Sequence, residues 1–336
     1  MGGVLEQVSL IDEKEWCSLW SEATFMDHLV LIDGHHLMYR AYWAIPRTLR
    51  THSGLQVNAV FGMASMLLTI LKHESPDALL LCFDAGGETF RHQEHAAYKE
   101  GRPETPDDFY QQIPLILEIV DAFGFSRISD LQYEADDFLG TYALAGERAG
   151  MRVSVVTGDR DALQLASDAV RIIIPHKGYQ EAESLGPLEI EKKYGVRPDQ
   201  ISAWKGLAGD PSDNLPGVRG IGPKGAAKLL QKFGTIEALY GHLSDVPPSL
   251  RQKLEDGMEQ AFFCQRMAQL VSDIPLPLSL DALSLRALPS ARLFSTFQRF
   301  EFTLLLRRFL ELLVTSYGSR VFQKLRIGSE QQLSLF

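Results

Sequence analysis

HLVLIDG, residues 28–34, is a continuous apolar run of strand length that ends in a carboxylate and a glycine. Taken alone, Asp33 reads equally well as an aspartate opening a turn before Gly34. The pattern recurs, and the recurrence decides the fold. ALLLCF, residues 78–83, runs into Asp84-Ala85-Gly86-Gly87, and RVSVV, residues 152–156, runs into TGDRD, which carries Asp159 and Asp161. A further strand is expected over residues 170–174. Between these runs lie stretches with helical apolar spacing: residues 58–72, about 106–123, and from YEADD to about 149. Strands alternating with helices predict an α/β fold, with a mostly parallel central sheet and helices on both faces.

In an open parallel sheet the ligand site lies beyond the carboxyl ends of the strands. Asp33, Asp84, Asp159 and Asp161 fall there, joined by the helix start at YEADD, residues 133–137. Glu134, Asp136 and Asp137 crowd into four positions, with Glu134 and Asp137 on one face of a first helical turn. By itself YEADD also reads as helix capping, because acidic groups suit the unpaired N–H groups and dipole of a helix start. So many converging carboxylates repel one another and ionise together only beside cations, which points to a metal site. The candidate ligands are all oxygen donors, so Mg²⁺ or Mn²⁺ is expected rather than zinc. Two such ions about 4 Å apart are a standard arrangement for phosphodiester hydrolysis.

At 336 residues the chain has room for one large α/β domain or for one plus a smaller helical domain. Its hydrophobic content of 45% and charged content of 23% are those of a globular protein, without low-complexity tracts. Cys17, Cys82 and Cys264 are scattered and lack metal-ligand spacing, which argues for a reducing, cytoplasmic setting. Glu6, Asp12, Glu13 and Glu15 stand where a signal peptide needs a basic end, and no apolar run is long enough for a membrane span. Residues 1–27 read as an N-terminal extension in which Trp16, Leu19 and Trp20 share one helical face. The net charge of −10 does not exclude a polyanionic ligand, because cations neutralise an acidic pocket locally and basic patches can flank it.

Residues 86–106 turn polar, mixing Arg91, Tyr98, Lys99 and Arg102 with Glu88, Glu94, Glu100 and Glu104; on composition alone this is a solvated loop. Further on, GDPSDNLPGVRGIGPKGAAKLLQKFG, residues 209–234, supplies Asp210 and Asp213 and then a turn punctuated by Gly217, Gly220 and Gly222. The helix after it bears Lys224, Lys228 and Lys232. Glycines let backbone N–H groups approach phosphates, while Arg219 and the lysines add charge without reading bases. An ordinary amphipathic helix with solvated lysines is the plain alternative.

Together LIDGHHLMYRAYWAIP, FDAGGETFRHQEHAAYKEGRPETPDDF, YEADD, TGDRDALQL and GDPSDNLPGVRGIGPKGAAKLL resemble the 5′ nuclease domain of bacterial DNA polymerase I, within the flap endonuclease superfamily. The resemblance spans about residues 28–312 and is that of a stand-alone nuclease without the polymerase. It implies a PIN-like core and a metal-ligand set of Asp33, Asp84, Glu134, Asp136, Asp137, Asp159, Asp161, Asp210 and Asp213. Asp33, Asp84 and Asp136 would serve mainly a first ion, and Asp159, Asp161, Asp210 and Asp213 a second. Residues 86–110 would form a helical arch around a single-stranded 5′ end. There Lys99 and Arg102 would act at the scissile phosphate, Arg91 would contact a phosphate, and Tyr98 would stack on a base. The turn from Gly217 to Gly222 matches a helix-turn-helix grip on duplex, in which turn carbonyls hold K⁺. Gly225 departs from the family pattern, which has Thr after the Lys.

The implied function is a divalent-metal-dependent 5′-3′ exonuclease and 5′-flap endonuclease, acting as a monomer on DNA with a flap, nick or 5′ end in replication or repair. A non-catalytic adaptor that holds branched DNA is the alternative, and an RNA-cutting relative a further rival. The expected organisation is an extension over 1–27, a nuclease core over 28–200, a helical DNA-binding domain over 201–327, and a tail over 328–336. In that tail Gln332-Leu333-Ser334-Leu335-Phe336 resembles the peptide with which bacterial replication proteins bind the sliding clamp, Leu and Phe filling an apolar pocket. The alternative is a tail that packs on its own domain.

Overall fold

A computed structural model describes residues 26–100, 105–176 and 178–325. The expected extension helix, Arg102 and the peptide Gln332 to Phe336 lie outside the described residues. Strands β1 (His28–Asp33), β2 (Ala78–Asp84), β3 (Ser126–Asp130), β4 (Arg152–Val156), β5 (Val170–His176) and β6 (Gly178–Leu185) form one sheet in the order β3-β2-β1-β4-β5-β6. The first five are parallel; β6 runs antiparallel to β5 at one edge. In the central pairings Leu31 lies beside both Leu80 and Val155. The chain leaves β1 for β2 on one side and reaches β4 on the other, so the strand order reverses at β1 and opens a crevice at its carboxyl end.

The helices are α1 (Gly34–Ala44), α2 (Asn58–Glu74), α3 (Phe90–Glu94), α4 (Asp107–Tyr110), α5 (Ile113–Phe123), α6 (Ala135–Arg148) and α7 (Pro187–Tyr194). They continue as α8 (Ile201–Ala208), α9 (Pro223–Phe233), α10 (Ile236–Gly241), α11 (Pro248–Asp256), α12 (Met258–Ala268), α13 (Ser290–Arg299), α14 (Thr303–Leu313) and α15 (Ser316–Val321). The helix expected over about 106–123 is split into α4 and α5. Pro114 has no N–H to offer the carbonyl of Tyr110, so the hydrogen-bond ladder breaks there and restarts.

Alternation along β1 sorts the core into two layers. Val30 and Ile32 face a cluster with Met38, Val60, Phe123, Phe297 and Phe309, on the side of α1, α2, α5, α13, α14 and α15. Leu29 and Leu31 face the other, with Phe138, Leu207, Leu230 and Leu254, on the side of α6 and α8 to α11. The expected 201–327 unit therefore divides: α13 to α15 pack with the α/β layer rather than with α8 to α11, because their phenylalanines fill the face that α2 and α5 leave open. Cys82 and Cys264 are buried and free. Among the described residues no helix is long and apolar enough to cross a membrane.

Candidate active site

The carboxyl ends of β1 and β2, the loop after β4 and the start of α6 deliver the acidic residues to the carboxyl end of the sheet. Asp33 caps α1: its Oδ1 accepts from His36 N–H at 2.9 Å and its Oδ2 from the Thr157 hydroxyl at 2.8 Å. Asp84 Oδ1 accepts from Ala135 N–H at 2.8 Å, which fastens the end of β2 to the first turn of α6. Asp159 Oδ1 accepts from Asp161 N–H at 2.8 Å. Asp136 Oδ1 is buried and has no hydrogen-bond partner, an expensive state for a carboxylate unless a cation completes it.

The charge state follows from this crowding. Burial, with Asp84 and Asp159 nearby, pushes the Asp33 carboxyl up to about 7. Burial also raises Asp136 well above the usual carboxylate range, and Asp159, Asp33 and Asp84 add to the effect. Asp161 is pushed up to about 7, mainly by burial and against the pull of Lys205, while Asp213 is raised by burial more than Lys99 lowers it. Asp210 goes the other way: burial would raise it, but Lys205 and Ser212 hold it below its ordinary value.

Asp161, Asp210 and Asp213 form the tightest group, each offering an oxygen within 4.8 Å of the others. Among the described residues no second set of three closes to that spacing, so Asp33, Asp84 and Asp136 are linked electrostatically rather than as a compact triad. The donor set is all oxygen and charge-dense, which fits hard divalent cations. Lys205, which sequence reasoning did not single out, is buried with its Nζ between Asp161 and Asp210, 2.5 Å from Asp210 Oδ2. Its signal in the sequence was a lone cation in the otherwise uncharged helix ISAWKGLA.

Three expectations need correction. Arg91 was expected on a DNA phosphate, but it is 1% exposed and both its terminal nitrogens meet Asp137 at 2.7 Å. Its other bonds go to Glu134 Oε2, Met267 O and Gln269 O, so the guanidinium is spent inside the protein. Asp137 was expected among the metal ligands, but its two oxygens are taken by Arg91 and by the N–H groups of Glu134 and Val271. Tyr98 was expected to stack on a base, yet it is buried among Leu215, Cys264 and Met267 and donates to Glu134 Oε2 at 3.2 Å. Lys99 does reach the cluster, with Nζ 2.9 Å from Glu134 Oε1.

The basic helix lies in α9. Ala226, Leu229 and Leu230 turn inward while Lys224 and Lys228 are exposed, as are Arg219 and Gly222. Lys232 instead donates to Asp245 O at 2.8 Å. Gly217 is required by space: a Cβ there would come within 2.2 Å of Gly209 N, and its φ of 62° is left-handed. Gly220, also left-handed, lies against Lys253, a further cation that sequence reasoning passed over.

A parallel sheet whose switch point gathers an oxygen-only carboxylate cluster, followed by a helical unit with an exposed lysine row, defines a PIN-like α/β nuclease fold. Residues 28–195 match the family described as 5′-3′ exonuclease, N-terminal resolvase-like domain, and residues 196–290 match its C-terminal SAM fold. The chain belongs to the 5′-3′ exonuclease family, whose members are hydrolases. It is 41% identical over 281 residues to DNA polymerase I of Bacillus subtilis, covering 83% of this chain and 32% of that one. The chain thus spans about a third of the length of that relative. A bacteriophage T5 5′-exonuclease structure with bound divalent metal ions (zinc) shares the fold, with a TM-score of 0.59 and 21% identity over 73% of this chain and 90% of that one. The flap endonuclease of the same phage, in a pseudo-enzyme-product complex with DNA and metal ions, matches with a TM-score of 0.59 and 17% identity over 87% of this chain and all of that one.

Proposed function

We propose that this protein is a divalent-metal-dependent, structure-specific 5′ nuclease that cuts DNA near a 5′ flap, nick or 5′ end, in the cytoplasm during replication or repair. The observation that carries the reading is the meeting of Asp33, Asp84, Asp136, Asp159, Asp161, Asp210 and Asp213 at the carboxyl end of the sheet, with an unpartnered Asp136 oxygen among them. Asp33, Asp84 and Asp136 would hold one Mg²⁺ or Mn²⁺, and Asp159, Asp161, Asp210 and Asp213 a second; the oxygens of Glu134, like those of Asp137, already accept from the protein's own groups, here Lys99, Arg91 and Tyr98. Two such ions supply charge stabilisation for an in-line phosphoryl transition state and lower the pKa of an attacking water.

The protein's own groups orient the substrate. Lys99, whose ammonium charge is strengthened by Glu134, Asp213 and Asp136 against the effect of burial, is the cation at the cluster suited to a phosphate oxygen. Arg102 would join it. Exposed Lys224, Lys228 and Arg219, with the N–H groups of the glycine turn, would hold the duplex backbone, with K⁺ bound by the turn carbonyls. Phosphate contacts carry no base information, so selection is by DNA shape. We assign residues 28–200 to the nuclease core and residues 201–289 to duplex binding. The peptide Gln332 to Phe336 would recruit the sliding clamp, and the protein would act as a monomer.

The test is cleavage of a 5′-flap duplex by purified protein. Cutting is expected with Mg²⁺ or Mn²⁺, none with EDTA, and none by Asp136→Asn. An inactive wild type, or an active Asp136→Asn, would defeat the proposal. Clamp recruitment is tested separately, by deleting residues 332–336 and measuring clamp binding, which should vanish while oligonucleotide cleavage persists.

A further inference from the structure

Two left-handed residues join the segment after α3 to the acidic turn Pro211–Asp213. Glu100 N–H donates to Ala97 O at 3.1 Å, closing a turn whose third residue, Lys99, has φ 58°. That position suits glycine or asparagine, and a lysine stays there only when its surroundings hold it. Two bonds from outside the turn do so: Lys99 N–H donates to Asp213 O at 3.3 Å, and Asn214 Nδ2 donates to Ala97 O at 2.9 Å. Asn214 itself sits at φ 58° and ψ 36°, a conformation asparagine tolerates better than most residues. The consequence falls at the tip of Lys99, whose Nζ lies 2.9 Å from Glu134 Oε1 and 5.0 Å from the centre of the buried Tyr98 ring.

We propose that Asn214 is a positioning residue, its side-chain amide pinning the 97–100 turn to the acidic turn and thereby fixing Lys99 Nζ at the carboxylate edge. The proposal rests on the reading of Lys99 as a phosphate-contacting group. Asn214 is exposed and outside both hydrophobic layers, so its amide matters little to global stability and much to where one ammonium group stands. The same bond ties the order of the 97–100 turn to the segment that carries Asp210 and Asp213.

Asn214→Gly tests this, because glycine accepts the left-handed backbone while the side chain and its amide are removed. In metal-free protein, amide hydrogen exchange over residues 97–100 is expected to speed up while the thermal midpoint stays near wild type. On a 5′-flap duplex the single-turnover rate should fall by about tenfold or more, a loss in the range for a displaced catalytic contact, with little change in substrate affinity. Combining it with Lys99→Ala should cost no more than Lys99→Ala alone, since both remove the same contact. Unchanged exchange, a wild-type rate, multiplying losses, or damage from Asn214→Ala but not from Asn214→Gly would each overturn the positioning role. If Lys99→Ala cuts at the wild-type rate, the reading of Lys99 falls and the positioning role with it. An impaired Lys99→Ala beside an unimpaired Asn214→Gly removes the positioning role alone.

Discussion

Removing the Arg91 guanidinium would leave Asp137, 0% exposed, as a buried charge held by backbone N–H groups only. Breaking a buried pair from one side costs about 3–5 kcal/mol, so Arg91→Met should lower the urea-unfolding free energy by that order. A loss under about 1 kcal/mol, with a large drop in DNA affinity, would return Arg91 to the phosphates. A second consequence concerns pH. Asp33 and Asp161 are both raised to about 7, so the folded metal-free protein holds protons that an unfolded chain releases. The stability these two groups contribute is present at low pH and is lost as pH rises from about 4 to about 7. A divalent cation needs the ionised forms, so a fixed Mn²⁺ concentration should raise the thermal midpoint more at about pH 8 than at about pH 5.5. An equal rise at both values would contradict the assignment. At this scale residue type marked the carboxylates, because repulsion among them has few structural uses. It did not separate Asp137 from its neighbours or place Arg91 and Tyr98, since burial depends on what α12 and the segment after it bring from far along the chain.

In α9, the turn-plus-helix reading held at element scale because glycine spacing and apolar periodicity are local signals. Gly225 is the exception within it. A Cβ there would meet only Ile221 Cγ2, at 3.6 Å, so neither space nor a left-handed backbone calls for glycine. Gly225→Ala should therefore stabilise the helix by about 0.5–1 kcal/mol, read as a higher denaturation midpoint. If cleavage or duplex binding falls while stability rises, the missing side chain is kept out by DNA rather than by the fold. β1 and β2 were legible because strands buried on both faces read as near-continuous apolar runs, and β4 because three of its five residues are valine. β3 and β6 were not: SRISD at the sheet edge is short and half-exposed, and GYQEAESL carries polar residues through most of its length. Edge strands need only one apolar neighbour, which weakens their pattern.

Across the whole molecule, the chain's return in α13 to α15 is what sequence order hid, because an amphipathic helix gives no local sign of which layer it will cover. Phe297 and Phe309 are fully buried against residues of α2 and α5, and the Tyr317 hydroxyl donates to Pro76 O at 3.0 Å. The Arg308 guanidinium reaches Ser65 and Thr69 on α2. Residues 290–325 therefore pack into the core on one face of the sheet, rather than with the helical unit α8 to α11 on the other. Phe309→Ala should cost about 3–5 kcal/mol by the loss of a large buried ring. A chain ending at residue 289 should fail more severely, because Val60, Phe123 and their neighbours would face water as a large apolar patch. The expected outcome is insoluble or aggregated protein. A truncated chain that melts cooperatively near the wild-type midpoint and still binds divalent cations would show instead that α13 to α15 only cover a core that the first two hundred residues already complete.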